Sequence, residues 1–200
     1  MNETDHDPPS GGESPKFEPA LPAGDLWIFG YGSLMWDPGF PYLRSSPALV
    51  RGYHRRFCVY SRRWRGTAEE PGLVLGLDRG GTCHGMAFLV AAERVAATLS
   101  DLWQREMITG VYVPKLVKAR LPHATIEALA FVPDRKHHNY AGRLTLDEMA
   151  RLVAHRRGTR GANLDYLLRT IEYLAGLGVE DRRLLRVLTA AQALRAKISG

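Results

Sequence analysis

Cysteine is scarce, with only Cys58 and Cys83 in 200 residues. Two thiols are too few for a disulfide scaffold, and their spacing fits no metal-ligand motif. Both fall in stretches that read as strands, where a buried thiol behaves as a small hydrophobe. The His-Glu-x-x-His pattern of zinc enzymes is missing, and His137-His138 reads as a polar loop. Neither a metal nor an organic cofactor is therefore expected. No apolar run approaches the ~20 residues needed to span a bilayer. The first seven residues are acidic and carry no apolar signal core. These absences lead to the expectation of a cytoplasmic protein without membrane association. Internal repeats are lacking too, and 45% hydrophobic residues over this length suit one globular domain with a sizeable core.

An excess of acid is also missing. Lys and Arg number 27 against 21 Asp and Glu, a net charge of +6. Six arginines (51, 55, 56, 62, 63 and 65) and His54 lie between Arg51 and Arg65 with no acidic residue, interleaved with Tyr53, Phe57, Tyr60 and Trp64. Such a stretch reads either as a solvated strand pair with outward charges or as a binding surface for nucleic acid.

The chain is organised around residues 27–36. Trp27, Ile28 and Phe29 favour a strand. Gly30 and Gly32 follow, flanking Tyr31, and these glycines would allow positive φ and close approach by a ligand. Successive N–H groups in such a turn converge on an anion or a developing oxyanion; the alternative is an ordinary strand ending in a turn. No third glycine opens a helix and no Gly-Lys-Ser/Thr follows, so neither a dinucleotide fingerprint nor a P-loop is present.

Residues 1–24 hold prolines 8, 9, 15, 19 and 22 and almost no apolar periodicity, and read as a disordered tail ahead of a single domain over 25–197. Strands are expected near 26–31, 48–60, 72–79, 82–91, 113–120 and 124–133, with Gly80-Gly81 turning a hairpin. One helix from about Glu93 to Ile108 interrupts them. Its apolar stripe of Val95, Leu99, Leu102 and Trp103 continues to Glu106, which points a carboxylate at the core. Such a group must be paired, hydrogen-bonded or raised in pKa; a structural ion pair and a catalytic role both satisfy that. Three more helices follow: one opened by the capping box Thr145-x-x-Glu148, one capped by Asn163 with Gly178 beyond its end, and one capped by Asp181. Six strands, an inserted helix and C-terminal helices make an α+β architecture.

The run from Phe29 through Gly30, Tyr31, Gly32, Ser33, Leu34, Met35 and Trp36 to Phe40 resembles the opening motif of the ChaC family, the glutathione-specific γ-glutamylcyclotransferases. Further blocks agree in order: Arg65-Gly66-Thr67 with Pro71-Gly72, then Leu102 to Met107, then Gly161-Ala162-Asn163 with Tyr166-Leu167. The resemblance implies the γ-glutamylcyclotransferase-like fold, a small mixed or antiparallel sheet or barrel, and a lyase that releases 5-oxoproline and cysteinylglycine from glutathione. It implies Glu106 as general acid and base, residues Gly30 to Met35 as the loop that binds the γ-glutamyl group, and Tyr140 as a pocket-lining position. Glutathione is anionic, so a basic rim near the site would attract it. A cyclotransferase for other γ-glutamyl amines or dipeptides is the runner-up, and a nucleic-acid-binding module stands behind both. One stretch departs from the pattern: in Arg157-Gly158-Thr159-Arg160-Gly161 arginine stands where a less charged glycine-rich turn is expected, which leaves selectivity for the cysteinylglycine end open more than ring closure.

Overall fold

The computed structural model describes residues 23–106 and 110–197, the side chains of Arg105 and Glu106 excepted. The expected N-terminal tail, up to residue 22, lies outside the described residues.

Five strands close a barrel in the order β1-β3-β2-β4-β5. They are β1 (Leu26–Gly30), β2 (Arg44–Ser61), β3 (Gly72–Val90), β4 (Tyr112–Arg120) and β5 (Thr125–Pro133). A sixth strand was expected because Gly80-Gly81 was read as a hairpin. Instead β3 runs through the glycine pair, and β2 stays antiparallel to it from Arg44 opposite Leu89 to Ser61 opposite Gly72. The physical reason is curvature. Gly52, Gly80 and Gly81 all take positive φ (84°, 92° and 76°) where the register shifts between Arg51 and Tyr53. They form an irregularity that bends both long strands together at the barrel rim.

Side-chain alternation along the strands makes two apolar layers. One comprises strand residues such as Phe29, Val50, Leu77, Ala87, Ala119 and Ala130, with Tyr31 just beyond β1. The other joins the opposite strand faces, among them Ile28, Phe57, Leu75 and Phe131, to the helices.

Helix α1 (Ala92–Glu106) crosses between β3 and β4, with Leu102 buried and Val95, Leu99 and Trp103 half-buried against the core. The stripe read from the sequence is therefore the packed face. Helix α2 (Leu146–His155) carries both halves of the expected capping box: Glu148 N donates to Thr145 Oγ1 at 3.2 Å and Thr145 N to Glu148 Oε2 at 2.7 Å. A two-stranded hairpin, β6 (Arg157–Gly158) and β7 (Gly161–Ala162), leads into α3 (Asn163–Gly176), and α4 (Arg182–Ala196) ends the fold. Asp181 caps α4 as expected, accepting from Arg183 N and Leu184 N, and Gly178 takes φ of 70° beyond α3.

Asn163 is not the cap of α3; that position belongs to Ala162. The fully buried Asn163 amide instead pairs with β3, accepting from Leu73 N at 2.6 Å and donating to Leu73 O at 2.7 Å. Two buried backbone groups outcompete one exposed helix end for the side chain. No helix among the described residues is long and apolar enough to cross a membrane.

Candidate active site

The loop after β1 is built from backbone proximity. Tyr31 and Gly32 leave the barrel end, and Ser33–Met35 form one 3₁₀ turn, with Met35 N donating to Gly32 O at 3.0 Å. Neither Gly30 nor Gly32 has the positive φ expected from the sequence. Their lack of a side chain serves space instead. A Cβ on Gly32 would stand 2.9 Å from Tyr166 Oη, and one on Gly30 would stand 2.9 Å from Leu34 Cβ. The turn's own ladder, from Met35 N to Gly32 O and from Trp36 N to Ser33 O, does not use the N–H group of Leu34.

Three side chains hold this loop. Tyr31 Oη donates to Phe131 O on β5 at 2.6 Å. The buried Arg55 donates through Nε to Tyr31 O at 2.5 Å, through Nη1 to Asp181 Oδ2 at 3.3 Å, and through Nη2 to His84 O and to Met35 Sδ at 3.7 Å. Tyr166 of α3, also buried, lies against Trp36 and Phe57 at ring distances of 5.8 and 6.2 Å, and its Oη accepts from Leu75 N at 3.3 Å.

Beside the loop opens a cavity of about 340 Å³. Four of the six expected binding residues, Tyr31, Gly32, Ser33 and Leu34, line it together with Tyr166, Tyr112 and Phe131. Gly30 and Met35 lie behind: Gly30 gives Leu34 room, and the buried Met35 meets Arg55. Tyr140 is absent from the lining; it bridges to the wall residue Val59, and its hydroxyl donates to Asp78 Oδ2 at 3.1 Å. Glu106 is the last residue of α1, and its side chain lies outside the described residues. The end of α1 reaches this region, since Trp103 packs edge-on against the wall residue Phe131 at 6.1 Å.

Part of the cavity wall is cationic. Arg62, Arg63, Arg65, Arg160 and Arg169 all line the cavity, with Asp37 the one carboxylate among its described lining residues. The outward-charge reading of the basic stretch fails for Arg55 and Arg65, both buried. Arg65 Nη1 donates to Arg160 O at 2.6 Å and Ala162 O at 3.2 Å, and its guanidinium lies 5.2 Å over the Tyr166 ring. Burial lowers the Arg65 pKa, opposed by the Tyr166 hydroxyl. Arg56 turns inward to Asp78 at 3.1 Å, and Arg135 meets the same carboxylate at 2.6 Å. Sequence reasoning missed Arg55 and Arg65 as anchors because their partners lie on other elements: the loop after β1, β3 and the cap of α4 for Arg55, the β6–β7 hairpin for Arg65. The signal available was the absence of acid nearby in the chain, which left their partners to be found elsewhere in the fold.

The two thiols take no part. Burial pushes Cys58 up to about 12 and Cys83 up to about 11, and neither lines the cavity. Among the described residues no group of His, Cys, Asp and Glu is arranged to hold a metal ion.

The chain is 37% identical over 175 residues to the glutathione-specific gamma-glutamylcyclotransferase of Escherichia coli K12, covering 87% of this chain and 76% of that protein. It is 36% identical over 197 residues to glutathione-specific gamma-glutamylcyclotransferase 1 of Rattus norvegicus, covering 94% and 89%. A crystal structure of a yeast gamma-glutamyl cyclotransferase specific to glutathione superposes with a TM-score of 0.81 at 21% identity, over 86% of this chain and 97% of that one, which establishes the shared fold. The profile of the ChaC-like proteins matches residues 26–194, so the loop, the cavity and the helices around it all fall within the matched span, and the chain belongs to the ChaC-like family.

Proposed function

We propose that this protein is a glutathione-specific γ-glutamylcyclotransferase, with residues 25–197 as its single catalytic domain in the cytoplasm. The observation that carries this reading is one cavity bounded by the Tyr31–Leu34 loop and an arginine wall, in a chain 36–37% identical to relatives named for that activity.

The chemistry asks little of the protein because the nucleophile belongs to the substrate. The α-ammonium of the γ-glutamyl residue gives a proton to the Glu106 carboxylate. The freed amine attacks the γ-carbonyl carbon, a C–N bond forms, and the carbonyl pair moves onto oxygen. The Leu34 N–H at the start of the 3₁₀ turn is suited to that oxyanion. The intermediate collapses by breaking the bond to the cysteine nitrogen, which takes that proton from Glu106; the surplus proton left on the ring nitrogen then passes through the same carboxylate to the released amine, which departs as an ammonium. Products are 5-oxoproline and cysteinylglycine, and no water is consumed. Orientation for ring closure supplies roughly 7 to 11 kcal/mol in favourable intramolecular cases. The γ-glutamyl group occupies the loop side, and the arginine wall attracts the anionic substrate.

Purified protein incubated with glutathione should yield both products by mass spectrometry. Glu106→Gln, unable to carry the proton, should lose on the order of 10²-fold or more in kcat. A folded variant that keeps most of its turnover would rule out this role for Glu106. Turnover of γ-glutamyl-alanine in preference to glutathione would favour the broader cyclotransferase reading.

A further inference from the structure

The departure from the family pattern at Arg160 has a defined place in the fold. The β6–β7 hairpin lies flat on the backbone of residues 63–65. Thr159 N donates to Arg63 O at 2.9 Å and Arg160 N to Trp64 O at 3.0 Å. Arg160 O accepts from Arg65. A Cβ on Gly158 would sit 2.5 Å from both Arg63 O and Trp64 C, so the contact has no slack. The side chain of Arg160 is exposed, but its root is therefore fixed.

From that root the guanidinium reaches the indole of Trp64, its carbon 4.5 Å from the ring centroid, and Arg63 reaches the same indole at 4.6 Å. Stacking on the ring holds each planar cation while leaving its edge N–H groups to donate. Among the described residues neither guanidinium has a carboxylate within ion-pair distance, although Asp37 lines the same cavity. Trp64 and Arg160 line both the main cavity and an adjoining hollow of about 360 Å³, so they stand where the two meet.

A cyclising substrate enters such a site with its γ-glutamyl end at the loop and its leaving group toward the exit. In glutathione the far end of the leaving group is the glycine carboxylate. We infer that Arg160, which shares the Trp64 ring with Arg63, binds that carboxylate and is a specificity-determining residue of this enzyme. This rests on the cyclotransferase reading above and adds the residue that selects a C-terminal carboxylate. A planar guanidinium meeting a carboxylate is the geometry in which charge-assisted bonds are strong.

The test compares glutathione with its glycyl ethyl ester, which keeps every atom of the peptide but removes the terminal charge. Wild-type protein should favour the free acid by roughly tenfold in kcat/KM, the scale of one such charge-assisted contact. Arg160→Gln should abolish that preference by raising KM for glutathione, with kcat and the ester kinetics little changed. Arg160→Lys should restore part of it, and Arg157→Gln, an exposed arginine of the same hairpin outside both cavities, should leave it intact. Equal use of acid and ester by wild type, or a parallel loss on both substrates in Arg160→Gln, would overturn the assignment to Arg160 alone. Release of 5-oxoproline from neither substrate by folded wild type would overturn the cyclotransferase reading and this inference with it.

Discussion

Gly32 and Tyr166 occupy one another's space. Tyr166 Oη stands where a Cβ of residue 32 would come within 2.9 Å. Gly32→Ala must therefore push either the loop or the tyrosine aside, and a displacement near 1 Å in a site that works by orientation costs about 10²-fold in kcat/KM. Removing the hydroxyl makes room, so adding Tyr166→Phe to Gly32→Ala should recover part of that loss. A double-mutant cycle measured by kcat/KM reads this coupling directly, and strictly additive effects would show that the two positions do not compete. The stripe of Leu99, Leu102 and Trp103 was legible in the sequence because helical periodicity is a local property, and it packs as expected; the Glu106 side chain that the stripe points to lies outside the described residues. Arg55 and Arg65 were not legible, since their partners lie on other elements, 20 to 126 positions away for Arg55 and 95 to 97 for Arg65, and nothing in the local pattern separates them from the exposed Arg62 and Arg63.

Among the elements, α3 shows why a local rule fails at a junction. Asn163 stands at a helix start, where a capping role is the cheap interpretation. Its amide is taken by both backbone groups of Leu73 on β3, a pairing across 90 positions. Asn163→Ala leaves a buried donor and a buried acceptor without that partner and should destabilise the fold by roughly 2 to 4 kcal/mol in urea unfolding. Thr145→Ala removes an exposed cap and should cost only about 1 kcal/mol. A reversed ranking would contradict the account of both residues. The glycine pair at 80 and 81 was ambiguous for a similar reason. Two alternating runs joined by glycines fit a hairpin and a bent continuous strand equally, and only the length of β2, long enough to pair with all of β3, decides between them.

At the scale of the whole molecule, both thiols titrate far above their unfolded range because burial disfavours the thiolate. The folded state keeps protons on Cys58 and Cys83 up to about 12 and about 11, while the unfolded chain releases them near the ordinary value of 9.0. Stability from these groups is thus complete below pH 9 and falls as pH rises toward 11 and 12. The loss is at most about 1.4 kcal/mol per pH unit for each thiol. Urea midpoints should decline between pH 8 and 10.5, and Cys58→Ala should flatten that decline while lowering the midpoint at pH 8. The barrel itself is unevenly sewn. β2 and β3 are paired along their whole lengths, whereas β1 meets β5 at the single pair Ile28–Leu129, and β2 meets β4 at two pairs. The bond from Tyr31 Oη to Phe131 O lies just past that single pair and supplies the next rung from a side chain. Since both residues also border the cavity, a ligand seated there braces the weakest closure of the wall. Occupancy should then be felt as slower amide exchange along β5, so that the protein reports a full site through the breathing of its barrel.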